Sequence, residues 1–454
     1  GYISPFKLEI LKPAVLLVMN EDGQIDFGIS DDRKNSNARR NLDPRPFPEL
    51  MQLFQVPIFT KLDTAHISGI KFEFEDRKKG KKLIFNDGKG TLSKKANLIE
   101  INFSAKLDQQ KLVPAVFTGK VSYLPVTGVS KVAVNFVNLN TDNLSKQIYS
   151  FGWVKHLTGR AEGSFRGEIS SNGSIGDVAG VITIKDGSIA QDLSTTPYSF
   201  DELNSYVRYL PKLNRMFFDG ISLKAPELKF EAFGSIDFLS DGSGSPEFLI
   251  GQLEFGNIEF KPERLVSSTI NFKKGIFDFR YDLSNSNVEI GQLLLSSAGS
   301  EISTSGKILI SELGLKIALD SSVDDIAAGD FLTLWPKGFK KKTRSWIEEN
   351  VVSGRIRNGR SSLRIDPGKP LELAISFEFA DATINVLKNQ PKLQKGSGYG
   401  SISNKLFALN LEKGVVSVGS EGLIDFSGSS MIVRDTSEKP ATGEFNVVAD
   451  GPVS

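Results

Sequence analysis

Few residues in this sequence have the types and spacing that catalysis needs. The 454 residues include two histidines, His66 and His156, and no cysteine. The histidines are remote in sequence and neither is flanked by a ligand pattern, so a histidine metal site or a nucleophile–base dyad is not expected. Without cysteine there are no disulfides, thiolate ligands or sulfur nucleophiles. Aspartate and glutamate total 54, and a suitably spaced pair could act as in glycoside hydrolysis. No pair is singled out, however, and turn positions account for most of the aspartates. The glycine-containing runs GVSKVAV (128–134) and GSGYGS (396–401) lack the spacing and strand-to-helix context of a phosphate loop. No G-x-S-x-G elbow occurs. The expectation is a non-enzymatic protein with no metal and no cofactor.

Charge narrows the partners further. Fifty-five basic against 54 acidic residues give a net charge of +1, which offers no electrostatic reason to expect nucleic acid. Lys337, Lys340, Lys341 and Lys342 could face anionic head groups, but a solvated loop is the plainer reading. The chain has 32 phenylalanines against 8 tyrosines and 3 tryptophans. That balance points away from sugar binding and towards a large apolar surface that is either buried or facing lipid.

The elements that would carry such a surface are strands. Residues 99–107 alternate Ile99, Ile101, Phe103, Ala105 and Leu107 against Glu100, Asn102, Ser104 and Lys106. Period-two spacing of this kind puts one face in an apolar medium and the other in water. Phe72 and Phe74 share a face in residues 67–74. Phe277, Phe279 and Tyr281 do so in 277–283, and Leu373, Ile375, Phe377 and Phe379 in 371–379. Helices are predicted at 48–54, 142–156 and 201–210. Asp22-Gly23 reads as a turn, and Asp186-Gly187 as a hairpin turn. Strands so numerous could form sandwiches, a barrel or one curled sheet, and the pattern alone does not choose. No run of about 18 apolar residues occurs. The chain opens at Gly1 close to a strand-like run and is read as a piece of a longer protein whose natural N-terminus lies upstream.

One stretch, residues 322–366, interrupts the array. Ser322 with Asp325 reads as a capping box opening a helix that runs to Leu334 and stops at Pro336. A second helix runs from Thr343 to about Asn350, followed by Gly354. Trp335 and Trp346 are read as anchors that hold this insert to the sheet, and Arg344 as a surface partner of Glu348 or Glu349.

The run from Leu334 to Ile356 resembles a domain signature of the AsmA-like bacterial envelope proteins, the group that includes YhdP and TamB. Its positions here are Trp335, Pro336, Arg344, Trp346, Ile347, Asn350 and Gly354. Residues 56–85, 136–151 and 157–170 are similar to the family in order, so the resemblance covers nearly the whole chain.

That resemblance implies a periplasmic, elongated, curled antiparallel β-sheet forming an open apolar groove, with a few short helices. The groove would span two stretches: 1–195, and 196–454 with a helical insert at 322–353. It implies a helix in the inner membrane that precedes these residues, envelope protein partners, and bridge-like, non-enzymatic transfer of phospholipid towards the outer membrane. The groove-lining candidates are Phe72, Phe74, Ile99, Ile101, Phe103, Phe277, Phe279, Tyr281, Leu373, Ile375, Phe377 and Phe379. Two other classes stay open: an envelope scaffold whose apolar faces pack on each other without a conduit, and a β-rich carbohydrate-active enzyme.

Overall fold

The structure is a computed structural model. It describes residues 6–20, 25–31, 45–46, 56, 61–77, 81–95, 97–109, 112–141, 157–189, 197–240, 246–261, 269–297, 299–311, 314–335, 341–386, 390–403, 405–418, 422–435 and 442–451. Within these the protein is mainly β, and its two α-helices are short. The chain divides into two compact units, residues 1–225 with 233–247, and residues 226–232 with 248–454.

In the first unit, β1 (Lys7–Leu11) and β2 (Pro13–Met19) lie along the same edge of β5 (Thr64–Asp76), both parallel to it. Lys12, at φ 53°, separates them. β2 also pairs antiparallel with β3 (Ile25–Asp31), which pairs with β4 (Arg45–Pro46). From β5 onward the chain is an antiparallel meander through β6 (Lys81–Lys95), β7 (Leu98–Leu107), β8 (Ala115–Leu124), β9 (Val129–Asn140), β10 (Leu157–Ile169), β11 (Ile175–Ile189), β12 (Tyr198–Leu210) and β13 (Arg215–Lys224). Two parallel pairings at one side thus make the sheet mixed. β14 (Leu228–Leu239) follows, its first residues counted with the second unit and its later ones with the first.

The second unit repeats the meander through β15 (Phe248–Phe260), β16 (Ile270–Asp282), β17 (Asn287–Ser297), β18 (Ser300–Ser311), β19 (Gly314–Ala327), β20 (Val351–Ile365), β21 (Glu372–Ile384), β22 (Leu393–Ile402) and β23 (Phe407–Ser417). β23 then pairs at one end with β24 (Leu423–Asp425) and at the other with β25 (Ser430–Val433), which carries β26 (Glu444–Asn446). Among the described residues no pairing joins the outermost strands of either unit, so the strand array of each unit is open. The helices α1 (Ala328–Leu334) and α2 (Lys341–Asn350) are an excursion between β19 and β20, which pair directly with each other.

Bulges bend these strands. Asp87, Asp186, Asn358 and Lys395 sit inside strands at φ 49–53°, each before a glycine and each at or next to a register shift. Asp and Asn tolerate the left-handed region better than most side chains, and an extra residue there increases local twist. Asp186-Gly187 is therefore not the predicted hairpin turn. It is a kink within β11, because the same φ preference serves a bulge as well as a turn.

Two other expectations are corrected. Residues 201–210 are not helical: they belong to β12, which pairs along its length with β11 and β13. Leu203, Val207 and Leu210 have helical spacing, but Leu203, Ser205, Val207 and Tyr209 also have period two, and the two neighbouring ladders decide between them. Ser322 and Asp325 do not cap a helix either. They pair with Arg360 and Arg357 on β20, so α1 starts only at Ala328. The helices predicted at 48–54 and 142–156 lie outside the described residues, as do His156, Pro336 and the Asp22-Gly23 turn.

Candidate functional site

The apolar face of each sheet is the candidate site. In the first unit, Ile99, Ile101, Phe103, Ala105 and Leu107 of β7 are paired with Tyr123, Val121, Gly119, Phe117 and Ala115 of β8. Those meet Ser130, Val132, Val134 and Phe136 of β9. A ladder of rings runs across the strands: Phe72 to Phe85 at 5.4 Å, Phe85 to Phe117 at 5.0 Å, Phe117 to Phe136 at 5.8 Å and Phe136 to Phe165 at 6.1 Å. On β7, which the ladder passes over between Phe85 and Phe117, the small Ala105 stands opposite Phe117. Contacts of this kind add about 0.5–1.5 kcal/mol per ring pair beyond area burial.

Glycines let the rings lie down. Phe103, Phe136, Phe165 and Phe200 are each directly paired with a glycine on the next strand: Gly119, Gly163, Gly180 and Gly187. A Cβ at Gly163 would stand 2.7 Å from the Phe136 ring. The ring therefore covers the neighbouring backbone instead of standing off the sheet, a known way to shield strand glycines. Phe377 and Phe379 do the same over Gly400 and Gly398 in the second unit.

In the second unit, Phe277 and Phe279 stack at 5.0 Å. They are paired with Leu253 and Gly251 on one side and with Leu293 and Ile290 on the other. Tyr281 lies next along this face, half-buried. Leu373 and Ile375 lie further along the meander, also half-buried. Phe377 and Phe379 differ. They are buried in a cluster with Ile326, Trp335 and Ile356, against which Phe331, Leu334 and Ile347 of the helical excursion pack. Phe331 lies 5.7 Å from Trp335, edge to face, and 6.4 Å from Phe377. The helices thus cover the face at these two positions.

The opposite faces are wet and charged. In the first unit Lys82 bridges Glu73 and Glu75, Lys120 meets Glu100, Lys224 faces Glu202, and Arg208 clasps Asp219 with bonds of 2.6 and 2.7 Å. In the second, Lys307 meets Glu289 at 2.7 Å and Arg364 meets Asp320 at 2.8 Å. Four of these cations hold their carboxylates below the usual range: Lys120 does so for Glu100, Lys224 for Glu202, Arg208 for Asp219 and Lys307 for Glu289, chiefly through the hydrogen bond. These are cross-strand pairs on exposed surfaces and fit a structural role.

The remaining singled-out residues fall as follows. Ile99 is 1% exposed and Trp335 3%. Phe72 and Phe74 pack against the first unit's larger cluster, and Ile101 and Phe103 against its smaller one. Arg344 meets Glu348 at 2.7 Å as an i,i+4 pair, and Asn350 donates to the Trp346 carbonyl at 2.8 Å. Gly354 passes Ala382 so closely that a Cβ would lie 3.3 Å from its Cα. Trp346 is corrected: at 38% exposure it is not an anchor, and Ile347 beside it is the residue that packs inward. Phe85, Phe117, Phe136 and Phe165, which carry the ring ladder, are not among the residues singled out from sequence. Two of them carry a signal, phenylalanine two positions from a glycine within an alternating run, as in Phe117 with Gly119 and Phe165 with Gly163 and Gly167; Phe85 and Phe136 have no such glycine.

Among the described residues no group of three or more His, Asp or Glu lies together to hold a metal ion, and no helix is long and apolar enough to cross a membrane. The arrangement can therefore offer apolar surface on one face and fixed, paired charge on the other. A scan against protein-family models, a search of curated proteins and a search of solved structures each return no match.

Proposed function

We propose that this chain carries acyl-chain lipids, phospholipids above all, on the apolar faces of its two sheets. On this reading it is a non-enzymatic, bridge-like transfer protein acting between the inner and outer membranes, contributing to outer-membrane lipid homeostasis. It works in the periplasm, held to the inner membrane by a helix that precedes these residues. Resemblance to the AsmA-like envelope proteins supplies the compartment and the membranes. The observation that carries the lipid itself is the segregation, on most strands of each unit, of aromatic and aliphatic side chains from cross-strand ion pairs; Phe217 and Phe248, which lie under arginines, are exceptions. Acyl chains laid on such a face leave water at about 25 cal/mol per Å² of apolar area, and head groups stay outside.

The second reading, a scaffold without a conduit, is favoured by one observation: parts of the face are packed shut, with Tyr123 1% exposed and Phe377 under the helices. Mass spectrometry of the purified chain separates the two. Co-purifying phospholipid, together with photo-crosslinking of lipid to probes at Phe103 and Phe279, is expected for transfer. A lipid-free, soluble preparation with no crosslinks leaves the scaffold.

A further inference from the structure

The charged face of the second unit has a hollow that the lipid reading does not use. Five directly paired residues make one row across β18 to β22: Ser303, Ser322, Arg360, Ser376 and Ser401. Arg360 is its one long side chain. Short neighbours on both sides leave a depression of about 550 Å³ that Arg360 and these serines line.

Three other cations on this face are already neutralised. Lys307 meets Glu289, Arg364 meets Asp320, and Arg355 meets Asp325, the last at 2.7 Å. Arg360 makes no ion pair or side-chain hydrogen bond among the described residues. The carboxylate in the hollow, Asp320, is occupied by Arg364 and by the Ser362 hydroxyl. A guanidinium thus stands unpaired in a concave site, flanked by hydroxyl groups on both neighbouring strands.

We propose that this hollow binds a phosphate monoester or diester. Arg360 would give two parallel N–H donors to two phosphate oxygens. The hydroxyls of Ser322 and Ser376, one on each side, can donate to the remaining oxygens. A carboxylate brings two oxygens and a phosphate monoester three, so hydroxyls on both flanks of the arginine fit the oxyanion with more oxygens. The Arg360 row lies on the face opposite the apolar one, and the proposal does not depend on lipid transfer; Ile375 and Ile402 also border the hollow. The phosphate could be free or part of a lipid headgroup.

The test titrates the full chain with inorganic phosphate at constant ionic strength. In parallel, its co-sedimentation is measured with vesicles of phosphatidic acid in phosphatidylcholine and of phosphatidylcholine alone. Binding at least tenfold weaker in Arg360→Gln, and unchanged in Arg357→Gln on the same strand, is expected. Ser322→Glu places a carboxylate directly across from Arg360; it should abolish binding while the melting temperature holds or rises, so lost binding cannot be lost folding. Arg360-dependent sedimentation with phosphatidic acid identifies a headgroup, and binding of inorganic phosphate alone identifies a free phosphate. No binding of either probe, or equal weakening by Arg357→Gln, overturns the proposal.

Discussion

The Phe377 ring lies over Gly400, its direct partner on the next strand, so that a Cβ built on the glycine would stand 2.6 Å from the ring. Neither residue can change alone. Gly400→Ala forces the ring off its rotamer or the strands apart, and overpacking of this kind costs about 1–3 kcal/mol. Urea unfolding should show that loss for Gly400→Ala. For Gly256→Ala, where nothing lies near a built Cβ, only a small change is expected. Equal effects at both sites would mean that backbone freedom, not the ring, sets the cost.

The helical excursion is held by one tryptophan, not two. Trp335 is buried against Phe331, and removing a buried aromatic costs about 3–5 kcal/mol. Trp335→Ala should therefore destabilise the second unit strongly, whereas Trp346→Ala should stay within about 0.5 kcal/mol, as surface changes do. Denaturation of both variants, followed by far-ultraviolet circular dichroism, checks the contrast. A Trp346→Ala loss as large as that of Trp335→Ala would contradict the assignment of the anchor.

The charged faces make stability depend on acid. Asp219, Asp237 and Asp325 are held below the usual carboxylate range by hydrogen bonds from Arg208, Arg215 and Arg355, and Asp320 by those from Ser362 and Arg364. A depressed native pKa means that the unfolded chain binds protons first. The contribution is therefore complete above the unfolded aspartate value of about 3.9 and is lost as pH falls through the native value. Because these pairs are exposed, each effect is modest and weakens with salt. The urea midpoint should be flat from neutral pH down to about 5 and fall below about 4, with a shallower fall in Asp237→Asn. An acid limb unchanged by salt and by Asp237→Asn would assign the loss to other groups.

If acyl chains travel over the apolar face, a charge placed on it should stop them. Phe279→Asp or Ile375→Asp should sharply reduce phospholipid crosslinking at probes elsewhere on the second unit's apolar face, while the ion pairs of the other face persist. Burying an unpaired carboxylate against lipid costs several kcal/mol. Undiminished crosslinking in a folded Phe279→Asp variant would remove lipid passage as the role of this face.

Sequence alone determined which residues share a face. Ile99 to Leu107 and Phe277 to Tyr281 could be assigned correctly because period two is a property of the strand itself. It also marked the helical excursion, through Pro336 and the helix-forming run after it, though not its start. What it could not decide depended on partners distant in the chain. Residues 201–210 became strand because β11 and β13 lie on either side. Asp186-Gly187 became a bulge because β10 and β12 continue past it. Trp335 and Trp346 differ in burial because only one meets the sheet's cluster. The pairing of phenylalanine with glycine, and the unpaired Arg360 among serines, exist only once register is set. Register is a relation between strands tens of residues apart, and a shift of one position would turn each side chain to the other face.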